Sequence, residues 1–174
     1  CRVGGKKMLE NQKFSYFENG ISNVTPKKEI TIKEFLEMLK QNNPLIENIR
    51  KQQDKKAKDK QKRNLSYVTF GGTFEKRSKK ALKQASGYAC FDFDDVKDIE
   101  GSKEKLSKNE YTHLVFISPS GKGLKMIVKI PEVKSDEEYK QYWESIAQHY
   151  NIEESDESNK DISRACFLSV DKSP

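Results

Sequence analysis

The chain has 174 residues, 34% hydrophobic and 34% charged, and its 33 Lys and Arg against 27 Asp and Glu leave a net charge of +6. That length suits one domain, or one domain with a small appendage, and the basic balance favours polyanionic partners such as nucleic acid. No apolar run approaches the roughly 20 residues that cross a bilayer, and no secretory signal pattern opens the chain, so a membrane-spanning helix and a leader are not expected.

Residues 12–25 read as a short β element, with Phe14, Tyr16 and Phe17 before Asn19-Gly20 and Ile21 and Val24 after it; Asn-Gly is a hairpin turn signal. Thr31 and Glu34 form a capping box, and the helix it opens sets Ile32, Phe35, Leu36 and Leu39 on one face. Pro44 ends that helix or begins the next segment. Residues 50–63, RKQQDKKAKDKQKR, carry almost nothing apolar. They suit a solvated helix or linker whose long basic side chains contact phosphate.

From residue 64 the pattern changes. Strands are expected at Leu65 to Phe70 and Tyr88 to Asp94, with residues 73–86 a polar, basic stretch between them. A loop and short helix fill 95–110. A hairpin follows, His113 to Ser118 and Leu124 to Ile130, around a tight turn. A second capping box at Ser135 and Glu138 opens a helix bearing Tyr139, Tyr142, Trp143, Ile146 and Tyr150. An acidic loop covers 151–160, and a last strand runs from about Ser163 to Val170. The order predicts an α+β fold, an antiparallel or mixed sheet with helices packed on one face. The expected division is residues 1–63, a small N-terminal α/β element, and 64–174, the core, together one compact unit. A chain that starts without Met and stops after a strand-like run reads as a piece of a longer protein.

The chemistry centres on Phe91-Asp92-Phe93-Asp94. Strand alternation sends Ala89, Phe91 and Phe93 to the core and sets Asp92 and Asp94 on the opposite face, about 6–7 Å apart. Two carboxylates so placed repel each other unless a cation sits between them, and oxygen ligands suit Mg²⁺ or Mn²⁺. A pair of such ions about 4 Å apart activates a hydroxyl and stabilises a leaving phosphate. An ordinary strand end meeting solvent is the bland alternative. Residues 118–124, SPSGKGL, make a Gly-rich turn that lets a phosphate approach, though the Walker A spacing is absent and a plain hairpin turn explains it as well. If that hairpin lies beside the Asp92 strand, Lys122 and Lys125 can neutralise a triphosphate; otherwise Lys125, Ile127 and Lys129 form a basic, exposed face. Asp161 and Asp171 bracket the last strand. Either can supply a third carboxylate, and Arg164 can meet phosphate or pair with an acid.

Other chemistries find little support. Cys1, Cys90 and Cys166 have no zinc spacing, Cys90 and Cys166 sit in apolar, strand-like runs and read as buried free thiols in a reducing compartment, and His113 and His149 read as structural. Ser120 has no His base near it in sequence.

These stretches, with VTFGGTF (68–74), SGYACFDFD (86–94), SPSGKGLK (118–125) and DISRACFLSVD (161–171), resemble the archaeo-eukaryotic primase superfamily, and more narrowly VirE N-terminal-type domains of mobile-element and phage replication proteins. The resemblance implies an RRM-like sheet joined to a smaller α/β element. It implies that Asp92, Asp94 and Asp161, with Asp171 as the fallback, bind two Mg²⁺ or Mn²⁺ ions. It implies that Ser120, Gly121, Lys122, Gly123, Lys125 and Arg164 hold a nucleoside triphosphate. The activity implied is primer synthesis or extension on a single-stranded DNA template, in the cytoplasm of a bacterial or phage-infected cell. Lys125 stands where many superfamily members carry His, which gives a point charge in place of a directional bond. The alternative is an inactive module that holds single-stranded DNA or a nucleotide beside a helicase domain or partner. A metal-dependent nuclease is a third possibility, which the Gly-rich turn and Lys125 disfavour.

Overall fold

The computed structural model describes residues 11–152 and 157–174, so Cys1 and part of the acidic 151–160 loop lie outside the described residues. The fold is α+β, as the element order predicts. Three antiparallel sheets carry it. The first has the order β2-β1-β3-β9, from Lys13–Phe17 (β1), Lys28–Thr31 (β2), Tyr67–Thr69 (β3) and Cys166–Phe167 (β9). The second pairs Gly72–Phe74 (β4) with Leu82–Ala85 (β5). The third has the order β6-β8-β7, from Tyr88–Phe93 (β6), Thr112–Ile117 (β7) and Leu124–Lys129 (β8).

Five α-helices complete the described chain: α1 Ile32–Lys40, α2 Pro44–Lys51, α3 Lys55–Lys62, α4 Ile99–Ser107 and α5 Asp136–His149. The Thr31–Glu34 capping box forms as expected, and the Ser135 hydroxyl caps α5 by accepting from the Glu138 amide. α3 has little apolar surface of its own. Asp54 caps it through the Ala57 amide, and its C-terminal end is fixed where the Ile21 amide donates to the Arg63 carbonyl at 2.8 Å.

The third sheet is buried on both faces. On one side Ala89, Phe91, Val115, Met126 and Val128 pack with Trp143 and Ala147 of α5 and with Leu106 of α4. The Phe91 and Trp143 rings stack at 4.5 Å, and the Trp143 indole N–H donates to the Cys90 carbonyl. On the other side Tyr88, Cys90, Leu114, Phe116 and Ile127 pack with Phe14, Phe35 and Leu39 of the N-terminal element.

That second core excludes the alternative of Lys125, Ile127 and Lys129 as a solvent-facing stripe: Ile127 is fully buried and Lys125 is 8% exposed. Three local expectations also change. Asn19 and Gly20 do take positive φ, but the strand returns only at Lys28, because Gly20 lies against the end of α3, where an added Cβ would stand 2.5 Å from the Arg63 carbonyl. Residues 73–86 are not merely a polar stretch, since β4 and β5 pair within them. The last strand shrinks to Cys166–Phe167, and Asp171 beyond it is engaged by side chains and backbone from elsewhere in the fold. No helix among the described residues is long and apolar enough to cross a membrane.

Candidate functional site

Asp92 and Lys125 are direct cross-strand partners in β6 and β8, so the hairpin does lie beside the acidic strand. Lys125 Nζ stands 2.7 Å from Asp92 Oδ1, and the Arg164 guanidinium pairs with Asp92 Oδ2. Both carboxylate oxygens therefore face a cation. Burial alone would raise the Asp92 carboxyl, but the Lys125 and Arg164 charges and their hydrogen bonds outweigh it and hold the group below its ordinary value. Burial would likewise lower the Lys125 ammonium, and the Asp92 charge drives it up instead.

Asp92 and Asp94 both line a cavity of about 330 Å³ together with Lys62, Arg63, Ser120 and Lys125. A second cavity of about 440 Å³ adjoins it through shared Asp59, Lys62, Asp94 and Ser120, and adds Lys55, Lys58, Asp95 and Lys122. The two form one cleft between α3 and the ends of β6, β7 and β8. Six cationic and four acidic side chains line it. Lys58 is only 9% exposed; its amide donates to the Asp54 carbonyl, and its ammonium has no hydrogen-bond or ion-pair partner among the described residues. Asp94 and Asp95 are exposed.

The Gly-rich turn is tight, but its amides are largely committed. Gly121 N–H donates to the Ser118 carbonyl, Lys122 N–H to the Ser120 hydroxyl and Gly123 N–H to the Ser118 hydroxyl. The expected cradle of open backbone N–H groups is thus replaced by side chains, Ser120 and Lys122 at the cleft wall and Lys58 and Lys62 facing them. Gly121 takes φ +75° above Arg50, and Gly123 lies so close to β6 that a Cβ would stand 2.4 Å from the Phe93 carbonyl.

Arg50, at the head of the basic run, holds this turn from behind. Its guanidinium donates to the Val170 carbonyl at 2.7 Å and to the Ser118 carbonyl at 3.4 Å. The Ser169 hydroxyl donates to the Ile117 carbonyl, and the Ile117 amide donates to Asp171. The C-terminal segment therefore clasps the start of the turn.

The two candidate third carboxylates stand elsewhere. Asp161 accepts from the Ser163 amide and hydroxyl, both at 2.7 Å, and opens on a separate cavity with Arg77, Asn159 and Arg164. Asp171 is 5% exposed and ion-paired to Lys103 at 2.6 Å; burial would raise its carboxyl, and Lys103 with the backbone donors holds it below the usual value. Among the described residues no three His, Cys, Asp or Glu side chains gather as metal ligands. The donor set therefore does not fit a standing three-carboxylate centre. It does fit an ion that arrives with a phosphate chain, since one or two carboxylates plus substrate oxygens are the usual ligands of Mg²⁺.

A family model described as BT4734-like, N-terminal domain, matches residues 60–174. No curated protein and no solved structure matches the chain. This finding corrects the resemblance to the archaeo-eukaryotic primase superfamily, because the model that matches is not one of a primase–polymerase family.

Proposed function

The chain belongs to the BT4734-like N-terminal domain family, and from that premise we propose that its cleft binds nucleoside triphosphate and performs metal-dependent nucleotidyl transfer to a DNA primer. The observation that carries this reading is Lys58, whose side chain is largely covered and whose ammonium has no partner among the described residues, set in the wall of a cleft that also holds Asp94 and Lys122. A lysine held in place with its charge unpaired is ready to meet an arriving phosphate.

Lys58, Lys62 and Lys122 neutralise the phosphate chain, and Ser120 gives it a hydroxyl contact. Lys125 and Arg164 keep Asp92 ionised and fixed, while Asp94 remains open at the cleft mouth. Asp94, with Asp92 beside it, would hold a divalent ion, Mg²⁺ or Mn²⁺, arriving with the triphosphate, and that ion would supply activation of the attacking hydroxyl and shielding of the leaving phosphate. The exposed outer residues of α3, Lys56 and Lys60, with Arg63 at its end, offer a track for a single-stranded template.

One observation favours a second reading. Because both oxygens of Asp92 are already matched by cations, the cleft can serve as a binding module that makes no bonds and holds nucleotide or single-stranded DNA beside a helicase. Primer extension on single-stranded DNA with Mn²⁺ or Mg²⁺, comparing the wild type with the Asp92→Ala/Asp94→Ala double variant, separates the two. Product from the wild type alone supports transfer. Metal-independent nucleotide binding without product, from folded protein, supports the binding module.

A further inference from the structure

Among the described residues that line the smaller cavity of the cleft, Phe167 is the only aromatic, and Pro119 is its one apolar neighbour in an otherwise charged and polar wall. Phe167 lies on β9, the edge strand, opposite Tyr67 of β3. Strand alternation turns Cys166 into the core, 2% exposed, and Phe167 the other way, where it is only partly buried. Its back rests on the small cluster of Ile46, Ile49 and Leu65. Its ring meets the Tyr67 ring edge-on at 6.4 Å and 82°. The ring is thus fixed on two sides and opens on the cavity that holds Asp92, Lys125, Lys62 and Arg63. A rigid aromatic surface beside clustered cations is the arrangement that reads an unpaired base while the charges hold its phosphates.

We propose that Phe167 is the stacking surface for the base of a bound nucleotide, so that the cleft selects a nucleoside triphosphate over a bare polyphosphate. This rests on the phosphate-binding reading above and specifies its ligand. Stacking on an aromatic side chain is worth roughly 5- to 100-fold in affinity per base.

The test is calorimetric titration of ATP and of inorganic tripolyphosphate, each with Mg²⁺, into the wild type, Phe167→Leu and Phe167→Trp. The expected result is that the wild type prefers ATP by at least fivefold. Phe167→Leu should remove that preference by weakening ATP alone, and Phe167→Trp should retain it, with indole fluorescence quenched by ATP and unaffected by tripolyphosphate. Equal affinity of the wild type for the two ligands overturns the proposal while leaving the phosphate cleft standing, and so does a Phe167→Leu variant that keeps the preference. Binding of neither ligand to the wild type overturns the phosphate reading and this proposal with it.

Discussion

Asp92 and Lys125 face each other across β6 and β8 with their charged groups 2.7 Å apart, and Arg164 closes the other side of the same carboxylate. Removing the acid leaves two cations without their partner. Asp92→Asn should therefore cost about 2–3 kcal/mol at pH 7, less than a fully buried pair because the Asp92 side chain is one-fifth exposed. The carboxyl lies below its ordinary value in the folded state, so its contribution is complete above the unfolded value near pH ~3.9 and disappears as pH falls through the lower folded value. Urea unfolding at pH 7 and at pH 3 checks this: the gap between wild type and variant should be wide at the first and narrower at the second, because the loss has begun there and is completed only below the folded value. A gap of the same size at both would assign the effect to packing.

Arg50 and Gly121 make a second, independent pair. Arg50→Met leaves the Val170 and Ser118 carbonyls without their guanidinium donor, at a cost of about 1–3 kcal/mol. Gly121→Ala forces a Cβ onto a φ of +75° and to 3.4 Å from the Arg50 side chain, at a cost of about 1 kcal/mol. Hydrogen exchange at the amides of residues 121–123 should accelerate in both variants, while the amides of α5 stay protected.

Lys58 separates stability from binding. Lys58→Met keeps the covered stem and removes an ammonium that no described residue pairs, so the melting temperature should change little. The same change removes a phosphate contact, so affinity for single-stranded DNA or nucleotide should fall. The slope of log affinity against log salt for single-stranded DNA should shrink by about 0.7. A variant that is less stable and binds as before would mean that Lys58 is a packing residue.

The parts of the site carried by one stretch of chain were legible in the sequence. The alternation in β6 set Asp92 away from the Phe91 core, Asp94 just past the strand lines the same cavity, and the turn at 118–123 marked the hairpin that brings Lys125 opposite Asp92. What depends on chain segments distant in sequence was not. Nothing near Asp171 indicates that Lys103, 68 residues earlier, takes its carboxylate, or that Asp161 opens on another cavity. The pairing of β4 with β5 escaped notice because both strands are three or four residues long and polar or Gly-containing, so their structure comes from tertiary contacts. One missed signal was present. Tyr88, Cys90 and Ile127 are apolar on the side that also carries Asp92 and Lys125, and strands apolar on both sides belong to a sheet covered on both faces.

The double coverage of the third sheet makes residues before the family match part of the same core. The family match begins at residue 60, yet Phe14, Ile30, Phe35 and Leu39, all fully buried, lie before it. Cutting at residue 60 would strip them away and expose Tyr88, Phe116 and Ile127 to water as one continuous apolar surface. Such a fragment should be recovered aggregated, while the full 174-residue chain should be recovered monodisperse, a difference that size-exclusion chromatography reads directly. The boundary of sequence kinship and the boundary of autonomous folding therefore fall at different places in this chain, and insertions, fusions and truncations should respect the second.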